Sequence, residues 1–129
     1  MDEAKKNNSN RINNLIAMVI FVIMAIGMVL PLIHTGKIAI DIDWWFHSSR
    51  VEQIYRNLKA GVPFTYIATS TFGKTGVGSF LFYPDAFMYI WALLRFIYSP
   101  VTAYYLWVGI IFFMTLTVSY FCMQSYAHR

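Results

Sequence analysis

Charge is scarce in this sequence. Only 12% of its residues are charged and 58% are hydrophobic, whereas soluble domains run to about a quarter charged and about half apolar. So few charges cannot cover a water-facing surface, and the composition points to a membrane protein. Cysteine is nearly absent. Cys122 is the single one, which excludes an internal disulfide, and its apolar surroundings predict a small buried hydrophobe. Acids are few as well, six against ten Lys and Arg, yet the net charge is only +4. The basic residues are scattered along the chain, so they form no stripe that could follow a phosphate backbone, and nucleic-acid binding is excluded as a function class. The 129 residues leave room for one ordinary domain, and no segment repeats.

What the sequence does have is uncharged length. Residues 15–33, LIAMVIFVIMAIGMVLPLI, carry no charge. At ~1.5 Å per residue they reach roughly 28 Å, close to the ~30 Å hydrocarbon core of a bilayer. Gly27 and Pro31 would weaken a soluble helix, but membrane helices tolerate both. A cleaved signal peptide has a shorter apolar core, about 7–15 residues, and ends on small residues in an A-x-A-like pattern. The following HTGKIAI offers no such pattern, so a retained signal-anchor helix is expected. Residues 101–122, VTAYYLWVGIIFFMTLTVSYFC, are the second uncharged run and a second expected span. Residues 1–14 read as a polar, mobile tail, held on the cytoplasmic side by Lys5, Lys6 and Arg11. Residues 123–129 read as a cytoplasmic end, which leaves residues 34–100 as an extracytoplasmic loop. Lys37, Arg50, Arg56, Lys59, Lys74 and Arg95 in that loop fit the positive-inside rule poorly, but the rule loses force beyond about 60 residues. The fold class expected is therefore all-α: an integral membrane protein of the cell membrane, multi-pass, with its N-terminus cytoplasmic. Residues 85–98 are a third candidate. Their aromatic density, with Asp85 and Arg95, favours a juxtamembrane helix at headgroup depth over a third span.

Within the loop, Val51, Ile54, Tyr55 and Leu58 recur at helical spacing and predict a helix over residues 43–60. Asp41 or Asp43 can cap its start, and Gly61 with Pro63 ends it. Residues 65–79, TYIATSTFGKTGVGS, have loop composition. On such a helix His47, Arg50 and Ile54 follow Asp43 at offsets close to whole turns, so their side chains share one line. A carboxylate can act as general base or bind a metal. An imidazole relays protons, and a guanidinium clamps a phosphate with two prongs. The set suits transfer chemistry on a phosphorylated substrate. A plainer assignment makes Asp43 a helix cap, His47 an interfacial histidine, Arg50 a lipid-headgroup contact and Trp44 with Trp45 an aromatic belt. Two further motifs fail. Gly73-Lys74-Thr75 ends like a P-loop, but position 68, where that motif needs glycine, is Ala68. Gly76-Val77-Gly78 follows no clear strand, which argues against a dinucleotide site. Asp41-Ile42-Asp43 has the D-x-D form found in nucleotide-sugar transferases, on three residues alone.

A basic tail, one span, and then Asp43, Phe46, His47, Arg50 and Glu52 in the pattern D-x-x-F-H-x-x-R-x-E is similar to a family of bacterial multi-pass membrane proteins. That family continues with a G-x-G loop and an L-F-Y-P stretch, here Gly76-Val77-Gly78 and Leu81-Phe82-Tyr83-Pro84. It is often labelled 6-pyruvoyl-tetrahydropterin synthase-related membrane protein, a label that describes no activity, and its layout resembles the GT-C class of membrane glycosyltransferases. The resemblance covers residues 15–129. It implies a polyprenyl-phosphate sugar donor taken from the outer face, Asp43 as catalytic carboxylate with Asp41 as its rival, and His47 and Arg50 as substrate-binding residues, with a divalent metal as a candidate cofactor. Such enzymes are bundles of eight or more spans. The chain therefore resembles only an N-terminal part, inactive alone and completed by further C-terminal spans. The competing expectation is a small non-enzymatic membrane protein that serves as an assembly or lipid-binding subunit.

Overall fold

The computed structural model describes residues 2–35, 42–70 and 74–127. The chain is all-α: α1 (Asp2–Thr35), α2 (Ile42–Lys59), α3 (Ser79–Phe82), α4 (Met88–Leu94) and α5 (Pro100–Ala127). Among the described residues there is no strand, and one isolated antiparallel bridge joins Ala68 to Val77. Two helical stretches, Arg11–Thr35 and Pro100–Ala127, are long and apolar enough to cross a membrane, and of an apolar 18-residue window in each only 6% and 0% is buried by the protein itself.

The chain divides into two compact units. The first is α1 with residues 108–129, and the second is residues 36–107. In the first unit the edge of the Phe21 ring meets the Tyr120 ring, with centroids 5.7 Å apart. The Tyr120 hydroxyl donates to Asn14 Oδ1 at 2.9 Å, and Gln124 Nε2 donates to the same oxygen at 3.2 Å. The second unit is built on the apolar stripe of α2. Val51 and Ile54 are fully buried, and α2 packs on α4, where Met88, Trp91 and Ala92 complete the core with Phe80 and Ala103. Val51, Ile54, Met88 and Phe80 each contribute about 1.5–3 kcal/mol relative to leaving them in water. α2 ends where the sequence says it must. Gly61 takes φ 77°, its N–H donates to Leu58 O, and the Val62 N–H donates to Asn57 O at 2.9 Å. This paired closure needs a left-handed residue, which glycine adopts without strain.

Three expectations change. The stretch read as a polar tail is helical from Asp2 onward. Its DEAKK start combines good helix formers with acids at the positive end of the helix dipole, and Asn content alone does not break a helix continued by a long apolar run. The segment 85–98 forms only seven helical residues, Met88–Leu94. That is about 10 Å of helix, a third of the hydrocarbon core, so it is no third span. Its Trp91 is a core residue of the second unit, stacked on Trp107 at 4.8 Å and 3% exposed. Finally, Cys122, expected to be buried, is exposed.

Candidate functional site

The line of residues expected on α2 exists, but it runs from the surface into the core. Asp43 sits in the first turn of α2 and is exposed. At that end the helix dipole favours its negative charge. Among the described residues nothing pairs with it. His47, one turn on, is half-buried. Its ring meets Phe46 at 5.3 Å and Tyr83 at 6.3 Å, both edge-on. Its Nδ1 lies 3.4 Å from Arg50 Nη1. Arginine can only donate, so in a hydrogen bond between the two Nδ1 is the acceptor. Arg50, a further turn on, is 1% exposed.

Arg50 was expected to clamp a donor phosphate. In the structure its two terminal nitrogens face protein groups, and its buried Nε has no hydrogen-bond partner among the described residues. Nη2 donates to the Tyr83 carbonyl at 2.8 Å, and the rings of Phe46, Phe80 and Tyr83 surround it at 5.7, 5.2 and 5.5 Å. Burial pushes its pKa down, with Asp85 and then Tyr83 pulling it back up, and an arginine so placed still keeps its charge. The inward placement has a simple cause. Arg50 lies on the α2 face that carries Val51 and Ile54, so the helical line that aligns it with Asp43 also turns it inward. Asp41, the rival carboxylate, lies outside the described residues. Among the described residues no three His, Cys, Asp or Glu side chains gather to hold a metal ion, so they supply no metal site of their own.

Sequence reasoning missed the partners. Glu52 is paired with Arg95, which also donates to Tyr98 O at 2.7 Å and lies over the Tyr55 ring at 5.1 Å. The fixed charges of α2 and of the segment after α4 therefore close on each other. Gln53, buried, donates to Asn57 Oδ1 at 2.9 Å and accepts the Ser70 N–H at 2.8 Å, which ties the loop after α2 to the helix. The signal available in the sequence was a charge or amide placed inside an apolar stripe, which demands a partner when buried.

The geometry also brings together the two motifs that carried the family resemblance. Phe46, His47 and Arg50 of D-x-x-F-H-x-x-R all touch Tyr83 of L-F-Y-P. Compared with protein-family models, with curated proteins and with solved structures, the chain shows no match.

Proposed function

We propose that this chain is the N-terminal, membrane-embedded module of a larger glycosyltransferase-like protein that uses a polyprenyl-phosphate-linked sugar, with α2 at the outer interface and little activity on its own. The observation that carries the reading is the meeting of the two motifs around Tyr83. Residues far apart in sequence, singled out for one resemblance, form a single packed cluster beside an exposed carboxylate. In this reading Asp43 serves the complete enzyme as general base toward the acceptor or as a metal ligand, with Asp41 as the alternative. His47 orients that carboxylate or touches the donor phosphate. Arg50 is a positioning residue, holding the Tyr83 segment against Phe46 and His47.

A second reading, a non-enzymatic subunit, is favoured by the apolar surface that both long helices leave uncovered, which asks for lipid or for helices of a partner. Photo-crosslinking separates the two. The chain, reconstituted in liposomes, is irradiated with a diazirine-bearing polyprenyl phosphate and the adducts are mapped by mass spectrometry. The transferase reading expects adducts on α2 around Asp43 and His47 that unlabelled polyprenyl phosphate displaces. Adducts confined to α1 and α5 and not displaced would leave only the subunit reading.

A further inference from the structure

α2 has a second working face. Opposite the stripe of Arg50, Val51 and Ile54, a groove of about 250 Å³ with both polar and apolar walls is lined by Trp45, Ser48, Ser49, Glu52, Gln53, Arg56 and the loop residue Ser70. Asp43, His47 and Arg50 take no part in it. Its shape is set in advance, because Gln53 fastens Ser70 to the helix through bonds that use both ends of its amide. A binding site held by groups that are themselves fixed loses little freedom when a ligand arrives.

The hydrogen-bond inventory says what fits. The Ser48 hydroxyl donates to Trp45 O at 3.0 Å and the Ser49 hydroxyl to Phe46 O at 2.8 Å. Both protons are spent, so each oxygen offers only acceptor capacity. Glu52 gives one carboxylate oxygen to Arg95 and keeps the other as an acceptor. Arg56 is exposed, and its guanidinium is the strong donor of the groove. The Trp45 side chain, 49% exposed, adds apolar surface. A phosphate suits this poorly, since the serine protons are committed, Glu52 only accepts, and Arg56 is the one donor left to meet it. A plain ammonium meets Arg56. A neutral ring bearing several hydroxyls satisfies every wall: its protons go to Ser48, Ser49 and Glu52, one of its oxygens accepts from Arg56, and its C–H face rests on Trp45. The volume suits a single hexose-sized ring.

We propose that this groove binds a neutral polyhydroxylated ring of the pyranose class. The inference names a binding site for the sugar class invoked above, yet it rests on the groove's own inventory. Its test requires no transfer reaction and no polyprenyl phosphate, so either idea can fail without the other. Saturation-transfer NMR on the full chain in deuterated detergent, with methyl glucopyranoside, methyl galactopyranoside and methyl mannopyranoside as probes, should show transfer to the ring protons of at least one. For that probe, Arg56→Gln should raise the dissociation constant about tenfold, the scale of a lost hydrogen bond to a charged group. Ser49→Ala should weaken it by a smaller factor. Arg56 is exposed, so the helical circular dichroism of its variant should be unchanged. Absence of transfer from all three pyranosides would overturn the proposal. So would binding unaffected by both substitutions, or inorganic phosphate competing as well as the sugars, which would make the groove an anion site.

Discussion

Arg50 sits in an interior where, among the described residues, no carboxylate comes within ion-pairing distance. Taking a charge out of water costs several kcal/mol, and here that cost is offset by one charged hydrogen bond to Tyr83 O and by three ring faces. The bond contributes about 1.5–3 kcal/mol and a desolvated cation–ring contact up to about 2. The planar fork matters for both, because it stacks and donates at once, and a lysine ammonium does neither in that geometry. We therefore expect Arg50→Lys to destabilise the second unit by about 2 kcal/mol. Asp43→Asn, at an exposed position, should stay within about 0.5 kcal/mol. Denaturant titration of the purified protein in micelles, followed by near-ultraviolet circular dichroism of the Trp and Tyr rings, compares the two. Equal stability for both variants would mean that Arg50 is not holding the Tyr83 segment, and would return it to the role of a ligand clamp.

At the scale of elements, what could be read in the sequence was periodic and what could not was long-range. The stripe of Val51, Ile54 and Leu58 announced α2, Gly61 announced its end, and two uncharged runs announced the long apolar parts of α1 and α5. The acceptor for Arg50 is 33 residues away and the partner of Arg95 is 43 residues away, and no spacing rule encodes such a pairing. Periodicity placed His47 and Arg50 on one line with Ile54 of the apolar stripe, but it could not supply the acceptor that a guanidinium turned inward there would need. The first unit illustrates the same limit. Asn14 closes the polar stretch before the apolar run and looks like its boundary, yet it is the acceptor that Tyr120 and Gln124 share. Several turns away on the same two helices, a Cβ added at Gly109 would come within 3.1 Å of Val29 Cγ2, so α1 and α5 approach closely there. Hydrogen bonds between membrane helices average about 0.6 kcal/mol and reach about 1.7. Tyr120→Phe removes one donor and should cost near the lower figure. Asn14→Leu strands two donors and should cost more, toward the upper one. Unfolding by denaturing detergent, monitored by helical circular dichroism, ranks them. The reverse order would show that Asn14 is solvated independently of α5.

For the whole molecule the decisive question is which way it threads a bilayer. Two helices satisfy the length and composition of a span, and α4, at seven residues, does not. An even number of crossings returns the chain to the side on which it started. Lys5, Lys6 and Arg11 precede the first apolar run, and positive residues flanking a first span are retained in the cytoplasm. The second unit, residues 36–107, follows the first run and reaches only into the start of the second, with Lys74 exposed on it. The proposed chemistry on a polyprenyl-phosphate sugar requires that unit on the outer face. Topology and function are thus tied. Single cysteines introduced as Asn14→Cys, Lys74→Cys and Arg129→Cys, each with Cys122→Ser, should divide cleanly in intact cells. A membrane-impermeant maleimide should label position 74, and should label 14 and 129 only after permeabilisation. Labelling of 129 without 74 in intact cells would invert the second span and remove the outer-face site. Labelling of 14 and 129 but not 74 would invert the whole chain, placing Asp43, His47 and the groove of Arg56 in the cytoplasm, where the outer-leaflet donor could not reach them.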